Sequence, residues 1–408
     1  MQALWDEATR KLVEEARRFV REDVPADLLR RMDREEVRFA KDFIRAAARR
    51  GLLGLRFSPE YGGRGVPWTA EVAAIEEIGV LGTALGCNYV MPSIVGEALA
   101  AFGSEAQKKK YLAAIVRAEL FAAEALTEPR GGSDFFGATC TARRDGDVFV
   151  LRGQKRFIVG GEGADVFLVY ARTDPEAPGH KALSAFLVER SERVKVEYLY
   201  GLMGTRGGGT ARLLFDDARV PAGNLVGPLH GGATVFNRMM VPERLTSAAG
   251  AVGLGRAALE VAARYSDQRE AFGQKIRAFQ GVNFRVADSV TRLDAARALL
   301  YAAARQADGD QDPRRLVSEA KRFCTQAAWD TVNDAMQVMG GIGYTDVYPI
   351  ERLMRDARLS LIWTGTNEIM SMLIQHEYYR ELLRDGPAGR DVEADALNPE
   401  QAGEKVFR

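Results

Sequence analysis

The chain has 408 residues, with 56 basic and 56 acidic side chains that cancel to a formal net charge of zero. A chain of this length is expected to fold into two or three packed domains, and we predict three. The lack of net positive charge argues against recruitment of nucleic acid or of an anionic membrane surface. Hydrophobic residues make up 47% of the sequence, enough for a large buried core of the globular kind.

The cysteines and the N-terminal residues indicate the expected cellular location of the protein. Cys87, Cys140 and Cys324 lie far apart and form no CxxC pair, which argues against a disulfide framework or a zinc ribbon. The N-terminus has an amphipathic, charged helical pattern without the apolar stretch of a signal peptide. No apolar run approaches transmembrane length. We therefore expect a cytoplasmic protein that does not bind a membrane.

Three patterns follow one another along the chain. In residues 1–120 apolar side chains recur at three- and four-residue spacing, which predicts an N-terminal helical domain. Residues 121–232 contain short β-branched and aromatic runs separated by turns, which predicts a middle β domain, a small barrel or sandwich. Residues 233–384 return to long alanine- and leucine-rich segments that suit a helical bundle, and residues 385–408 form a polar tail. The predicted fold class is α+β.

This order of elements excludes several kinds of site. A doubly wound nucleotide-binding fold needs alternating strands and helices, and neither GxGxxG after a strand nor GxxxxGK[ST] is present. The sequence has no HExxH, and its three histidines, His180, His230 and His376, are scattered singly, so we predict no metal centre. No GxSxG segment offers a nucleophilic serine.

Four glycine-rich segments remain as candidates for ligand binding. They are TEPRGGSD (127–134), GLMGTRGGG (201–209), QVMGGIGY (337–344) and WTGTNEI (363–369). Glycine turns let backbone N–H groups approach a phosphate or a ring edge, and threonine and serine add hydroxyl groups. Each segment in isolation is typical of a surface loop. Their joint occurrence favours a binding site.

The motifs, taken in order from about residue 10 to residue 380, resemble those of the acyl-CoA dehydrogenase family. They are YGG, LTEPRGGSD, GQKRFI, GLMGTRG, FDDARVPAGNLVG, ERL, REAFGQKIRAFQ, QVMGGIGY, and ERLMRDAR followed by GTNEI. The resemblance implies an N-terminal helical domain, a middle β domain and a C-terminal four-helix bundle. It also implies FAD held between the subunits of a homotetramer, a dimer of dimers.

The resemblance also implies which residues bind the cofactor. Leu126 and Thr127 are expected at the pyrimidine edge of the flavin, Phe157 against the isoalloxazine, and Gly365 and Thr366 under the ribityl and phosphate end. Arg269, Phe272 and Gln280 of a neighbouring subunit, with Gln337 and Gly341, are expected at the adenosine and pyrophosphate, where the planar fork of arginine suits phosphate oxygens. The remaining expected cofactor residues are Gly132, Ser133, Val159 and Glu368.

The chemistry of the family requires a carboxylate that removes the proton from the α carbon of a thioester while the β hydrogen leaves as hydride. Many members carry a glutamate directly before the Gly-Thr turn, where this chain has Thr364, whose hydroxyl is too weakly basic. The isovaleryl-CoA and long-chain branches instead use the glutamate of a Glu-Arg pair, present here as Glu243 and Arg244. The resemblance therefore implies that Glu243 is the catalytic base.

Three residues are expected at the substrate. The resemblance implies that Thr364 offers its backbone N–H to the thioester oxygen, as in an oxyanion site, and that Arg244 and Ser133 lie near the acyl-CoA. The alternative for Glu243, which follows Pro242, is a merely favourable acid in the first turn of a helix. Val159 stands where many relatives carry threonine or serine, so a hydroxyl bond to flavin N5 is missing.

The expected activity is oxidation of an acyl-CoA to the trans-2-enoyl-CoA in fatty acid β-oxidation, with electrons passed to an electron-transfer flavoprotein. Two enzymatic alternatives keep the fold: a flavin oxidase or monooxygenase, and an alicyclic acyl-CoA dehydrogenase with another base. A non-catalytic binding protein on the flavin scaffold is the third. The acyl chain length cannot be derived from the pattern, because methyl-scale differences in an apolar pocket change discrimination only about 10- to 200-fold.

Overall fold

The computed structural model describes residues 5–386, 389–390 and 392–395, so most of the predicted polar tail lies outside the described residues. The N-terminal part is helical, as predicted. Asp6 caps its first helix by accepting a hydrogen bond from the Thr9 N–H at 2.7 Å. The helices are α1 (Glu7–Glu22), α2 (Leu28–Asp33), α3 (Lys41–Arg49), α4 (Trp68–Gly79), α5 (Thr83–Phe102), α6 (Glu105–Gln107) and α7 (Ala113–Val116), with a π-helical turn at Lys108–Leu112.

Helix α5 corrects one expectation from the sequence. By length and composition it is the one helix in the described part of the chain that could cross a membrane, although no run of that length was predicted. However, 72% of its apolar window is buried inside the protein, where the helix packs against α4, the first strand of the sheet and the long helix Gly232–Gln268. Burial on most sides is typical of a central core helix, which is apolar all round.

The middle part is a β domain, as predicted, with all eight of its strands in one sheet. The strands are β1 (Ala122–Ala125), β2 (Thr141–Asp145), β3 (Val148–Ile158), β4 (Val166–Arg172), β5 (Leu183–Glu189), β6 (Val194–Leu199), β7 (Ala211–Pro221) and β8 (Leu225–Val226), and helix α8 (Gly179–Ala182) precedes β5. Their order is β6-β7-β3-β2-β4-β5-β8, and β1 pairs with β4 in parallel. One face buries Leu151, Phe167, Phe186 and Phe215 in a core of its own.

The C-terminal part is the predicted helical bundle. Its helices are α9 (Gly232–Gln268), α10 (Gln280–Asp308), α11 (Arg314–Met339), α12 (Ile350–Ser360) and α13 (Asn367–Asp385). Helix α11 lies between its neighbours and contacts α9, α10 and α13. A short hairpin, β9 (Glu270–Ala271) with β10 (Gln274–Lys275), joins α9 to α10. The α+β fold class is therefore confirmed in its order of helices, sheet and helices.

Helices α4 and α9 cross at close range and join the N-terminal helices to the bundle. A Cβ atom on Gly253 would lie 2.1 Å from the Glu76 carbonyl oxygen, so the crossing requires glycine. Buried carboxylates of α4 pair with arginines of the bundle: Glu76 binds Arg297 at 2.7 Å, and Glu77 binds Arg256 at 2.5 Å. The crossing helps to enclose an interior space between α4, α5, the sheet and the bundle.

Candidate active site

A cavity of about 630 Å³ lies where the helices, the sheet and the bundle meet. Its wall is mostly apolar and comes from α4, α5, β1, β3, α9 and the segment between α12 and α13. An interior cavity of this size with few polar groups is the usual form of a site for a cofactor or small substrate. The candidate site can therefore be described by the polar groups that reach this space.

Eleven of the residues predicted from the sequence line this cavity, although they come from separate parts of the chain. They are Leu126, Thr127, Gly132, Ser133, Phe157, Val159, Glu243, Arg244, Thr364, Gly365 and Thr366. Residues 126–133 and 157–159 come from the β domain, and the others come from the bundle. Since Leu202 also lines the cavity, the fold brings three of the four glycine-rich segments to one place.

Glu243 lies one residue after Pro242 inside α9, not in the first turn of a helix, so the helix-start alternative does not apply. Glu243 lines the cavity. Burial raises the pKa of Glu243, whereas a hydrogen bond from the Glu124 side chain and the charge of Arg244 act to lower it. A carboxylate in an apolar space, more basic than usual, can accept a proton from a weak carbon acid.

Arg244, the second residue of the Glu-Arg pair, is buried in the cavity wall. Its Nη1 donates to the Ser318 hydroxyl of α11 at 3.1 Å. Burial lowers the pKa of Arg244 to about 10, with a further contribution from Arg314 and an opposing one from Glu243. The guanidinium therefore places a positive charge beside the base and facing the cavity.

The segment before α13 has a strained backbone. Thr364 has φ of 51°, in the left-handed region that a β-branched residue rarely adopts, and Gly365 follows with φ of 86°. Two contacts hold this turn: the Thr364 hydroxyl lies 3.4 Å from the Ser247 hydroxyl of α9, and Lys321 Nζ donates to the Gly365 carbonyl at 2.8 Å. Strained backbone is common at ligand-binding and catalytic sites, so this turn is a candidate part of the site.

Thr366 is the N-cap of α13, since its hydroxyl accepts a hydrogen bond from the Ile369 N–H at 3.2 Å. The start of this 19-residue helix faces the cavity through Gly365 and Thr366. Free N–H groups at a helix start favour anionic ligands. Glu368, which was predicted with them, is exposed and lies outside the cavity lining.

A buried ion pair joins the two β-domain segments of the site. Lys155 of β3 is fully buried and binds Glu128 at 2.8 Å, and its Nζ also donates to the Leu126 carbonyl at 3.1 Å. Glu128 in turn accepts hydrogen bonds from the N–H groups of Thr139 and Cys140. These bonds hold the Leu126–Thr127 edge of the cavity against the strand that carries residue 157.

Phe157 presents an apolar ring to the cavity from an unusual backbone. Its φ is 59°, and 49% of the residue is exposed. The ring lies 4.8 Å from the ring of Tyr200, and the Arg156 guanidinium lies over it at 4.9 Å. Val159, two residues further on, also faces the cavity and offers no hydroxyl group.

The other predicted cofactor residues lie away from this cavity. Arg269 and Gly341 line a second, open pocket with Tyr265, Ile276 and Met339. Phe272 is 94% exposed at the hairpin between α9 and α10, and Gln280 and Gln337 are exposed on the bundle. Within the described single chain, none of these five residues reaches the main cavity. This placement leaves the expectation that they serve a neighbouring subunit as a prediction.

The most informative residue that the sequence did not indicate is Glu124. It lies on β1 and lines the cavity within hydrogen-bonding reach of the Glu243 side chain. Tyr170 of β4 donates its hydroxyl to Glu124 Oε1 at 3.2 Å. The only sequence signal was an acid in the otherwise apolar strand AAEA. Trp363, Ser247 and Phe135 were likewise not predicted to line the cavity.

Comparison with known families gives the class of the protein. Sequence models match the acyl-CoA dehydrogenase N-terminal domain at residues 6–119, the middle domain at 123–218 and the C-terminal domain at 230–379. The chain belongs to the acyl-CoA dehydrogenase family, and it is an oxidoreductase of that class. Proteins of this family are flavoproteins.

Individual relatives cover nearly the whole chain. An acyl-CoA dehydrogenase of Bacillus subtilis (strain 168) is 36% identical over 372 residues, which is 90% of this chain and 95% of the relative. Butyryl-CoA dehydrogenase from Megasphaera elsdenii superimposes with a TM-score of 0.89 at 30% identity, covering 92% of this chain and 99% of that one. A chain from the electron transferring flavoprotein structure of Acidaminococcus fermentans gives 0.89 at 32% identity, with 92% and 99% coverage.

Proposed function

We propose that this protein is an FAD-dependent dehydrogenase of acyl-CoA thioesters that forms the trans-2-enoyl-CoA. The observation that carries the proposal is Glu243, which lines the same apolar cavity as Thr364 and Gly365. Because burial raises the pKa of Glu243, its carboxylate is a better proton acceptor than an exposed glutamate. The α-proton of a thioester is removed by this group, and the C–H bond breaks as the carboxyl O–H forms.

The wall of the cavity fits an isoalloxazine ring with a phosphate-bearing tail. Phe157 offers a half-exposed ring, and the buried Trp363 Nε1–H has no hydrogen-bond partner among the described residues. The start of α13 at Thr366 suits a negative charge. Leu126, Thr127, Phe157, Gly365 and Thr366 would hold FAD. When bound, FAD supplies the acceptor for the hydride that leaves the β carbon.

Thr364 contributes to the reaction through its backbone. The turn that contains it is fixed by Ser247 and Lys321, so its N–H can remain in one orientation while charge develops on the thioester oxygen. A preorganised donor of this kind stabilises an enolate-like transition state. Arg244, beside Glu243, adds positive charge on the same side of the cavity. Ser133, which also lines the cavity, is a candidate contact for the CoA portion.

The first test is the substitution Glu243→Gln in the FAD-loaded protein. The amide keeps the size of the side chain but cannot accept the α-proton, so anaerobic bleaching of the flavin by acyl-CoA should slow by at least about 10³-fold, while the FAD content stays at the wild-type level. Glu260→Gln, on the exposed side of the same helix, is the matched control and should bleach at the wild-type rate. Bleaching by Glu243→Gln at more than a tenth of the wild-type rate would contradict the assignment.

An acyl-CoA panel of graded length and branching identifies the substrate in the same assay. We further propose an electron-transfer flavoprotein as the acceptor, because the fold matches a chain of the A. fermentans electron transferring flavoprotein structure. Slow reoxidation of the bleached flavin by air and fast reoxidation by an electron-transfer flavoprotein are expected. Rapid peroxide formation or oxygen insertion would instead support the oxidase or monooxygenase alternative.

The proposed assembly is a homotetramer in which Arg269, Phe272, Gln280, Gln337 and Gly341 complete the cofactor site of a neighbouring subunit. Their exposure in the single chain supports this proposal, since it leaves side chains such as Phe272, which is 94% exposed, accessible to a neighbouring subunit. We also propose that the protein is a cytoplasmic enzyme of fatty acid β-oxidation. Analytical ultracentrifugation of the FAD-loaded protein tests the tetramer.

A further inference from the structure

Two carboxyl groups share the cavity, one on each side of the boundary between the sheet and the bundle. Glu124 enters from β1 and Glu243 from α9, and their carboxyl groups line the same cavity within hydrogen-bonding reach of each other. Two ionised carboxylates have only acceptors, so a hydrogen bond between them requires a proton on one. The pair therefore holds one proton and one negative charge when it is formed as in this structure.

The surroundings decide which carboxyl keeps the proton. Glu124 accepts a hydrogen bond from fully buried Tyr170, and Lys155, the cation whose charge acts on Glu124, is already bonded to Glu128. Glu243 instead lies beside the guanidinium of Arg244. Burial raises the pKa of Glu124 well above its usual range, and the charge of Glu243 raises it further. The proton belongs on Glu124, and the charge belongs on Glu243.

We propose that Glu124 is a positioning residue for the base: its protonated carboxyl donates a hydrogen bond that orients the Glu243 carboxylate and keeps it ionised before the substrate arrives. This inference rests on the proposed function of Glu243. During the reaction Glu243 takes the α-proton, while Glu124 keeps its own. The Tyr170 hydroxyl donates a hydrogen bond to Glu124 Oε1 at 3.2 Å and so holds the Glu124 side chain in place.

The groups facing the pair come from four elements besides β1. Arg244 of α9 favours the charged form of Glu243, and Tyr170 of β4 donates a hydrogen bond to Glu124. Lys155 of β3 acts on Glu124 only through its charge. Burial raises the pKa of the Cys87 thiol of α5 well above its usual range, and Glu243 raises it further, so this thiol stays neutral. Removal of the Glu124 donor therefore leaves Arg244 as the main group that favours ionised Glu243.

The test compares Glu124→Leu, which removes the donor, with Glu124→Gln, which keeps an N–H donor of similar size. The measurement is the single-turnover rate of flavin bleaching by acyl-CoA as a function of pH. Without the donor, Glu243 holds its proton to higher pH, so the acid limb of the Glu124→Leu profile should move upward, and the rate on that limb should fall about tenfold or more. Glu124→Gln should keep the wild-type limb and a rate within about threefold.

A second measurement detects the proton directly. At neutral pH the infrared spectra of FAD-loaded wild type and Glu243→Gln should contain a C=O band of a buried protonated carboxyl, and this band should be missing from the spectrum of Glu124→Gln. Circular dichroism and FAD content identify any variant that fails to fold. Bleaching profiles of Glu124→Leu that match wild type, or a band that survives in Glu124→Gln, would overturn the inference.

The two proposals fail in different ways. If wild type carries the carboxyl band but no acyl-CoA bleaches its flavin, the proposed reaction is wrong, and with it the positioning role. If wild type bleaches, Glu243→Gln does not, and both Glu124 variants keep the wild-type profile, then only the role of Glu124 is wrong. Equal impairment of Glu124→Gln and Glu124→Leu would also reject hydrogen-bond donation as the function of this residue.

Discussion

At the scale of single residues, the surroundings of two glutamates give them different roles in the site. Glu243 and Glu124 both reach the cavity, yet one faces a guanidinium and the other faces a tyrosine hydroxyl. The environment of each carboxyl group, rather than its residue type, therefore makes Glu243 the base and keeps Glu124 protonated. This is a common pattern in catalytic carboxyl pairs. Glu368 follows Thr366 of the cavity wall by two residues, but it is exposed and has neither role.

The pH dependence of the wild-type enzyme follows from the Glu243 environment. Burial raises the pKa of Glu243 above its ordinary value of 4.5, and the base must be ionised to accept a proton. Activity is therefore expected to be lost as the pH falls, with the midpoint of the loss above 4.5. The measurement is kcat/KM for an acyl-CoA across the acid range. An acid limb at or below the ordinary glutamate value would show that another group controls the reaction.

At the scale of elements, the turn between α12 and α13 is held from beneath by one lysine of α11. Lys321 Nζ donates to the Gly365 carbonyl at 2.8 Å and to Asn367 Oδ1 at 3.0 Å. Burial lowers the pKa of Lys321 to about 7, with a further contribution from Arg244. The left-handed Thr364 backbone thus depends on a buried amine whose charged form is disfavoured.

Lys321→Met should loosen this turn without a large loss of overall stability. The substitution removes two hydrogen bonds but also removes a buried charge, so the two effects on the free energy of unfolding oppose each other. The dissociation constant for FAD should rise about tenfold, measured by flavin fluorescence on dilution. Arg322→Met is the matched control, because Arg322 joins α11 to α13 through Ser371 outside the cavity. Equal FAD affinity in Lys321→Met and wild type would exclude this role.

At the scale of the whole molecule, buried ion pairs connect the parts that enclose the cavity. Arg56 is held between Glu71 of α4 at 2.5 Å and Glu97 of α5 at 2.7 Å, and its guanidinium lies 3.5 Å from the centre of the Trp68 ring. Glu97 also binds Arg238 of α9 at 2.6 Å. This network joins the N-terminal helices to the helix that carries the base.

Arg56→Met should destabilise the protein strongly, because it leaves buried carboxylates with fewer partners. The expected loss is about 3–5 kcal/mol in the free energy of unfolding, measured by urea titration. Lys11→Met, which removes an exposed ion pair with Glu7, should cost about 0–1 kcal/mol. A loss for Arg56→Met as small as that for Lys11→Met would contradict the role of the network.

The loss in the free energy of unfolding caused by Arg56→Met should also depend on pH. Burial acts to raise the pKa of Glu97, but Arg56 and Arg238 outweigh it, so the net pKa lies below the ordinary value of 4.5. The stability that this pair provides is present above pH 4.5 and is lost as the pH falls through the lower folded value. The difference in the free energy of unfolding between Arg56→Met and wild type should therefore become smaller at acid pH.

How much of the site can be predicted depends on where each residue lies. Turn residues such as Thr127 and Gly365 belong to glycine-rich segments that are recognisable in the sequence, and the joint occurrence of these segments favours a binding site. Glu243 is predicted through its Glu-Arg pair. Glu124 is not, because an acid in the strand AAEA has no local signature, and its partner lies 119 residues further along the chain.

By itself the sequence determined the order of helices, sheet and bundle and the segments that border the cavity, because hydrophobic period and turn chemistry are local properties of the chain. Only the tertiary structure decided that Glu124 meets Glu243, that α5 is a core helix, and that Lys321 supports the strained turn at Thr364. Each of these depends on long-range packing, in which desolvation and neighbouring charges change what a side chain does.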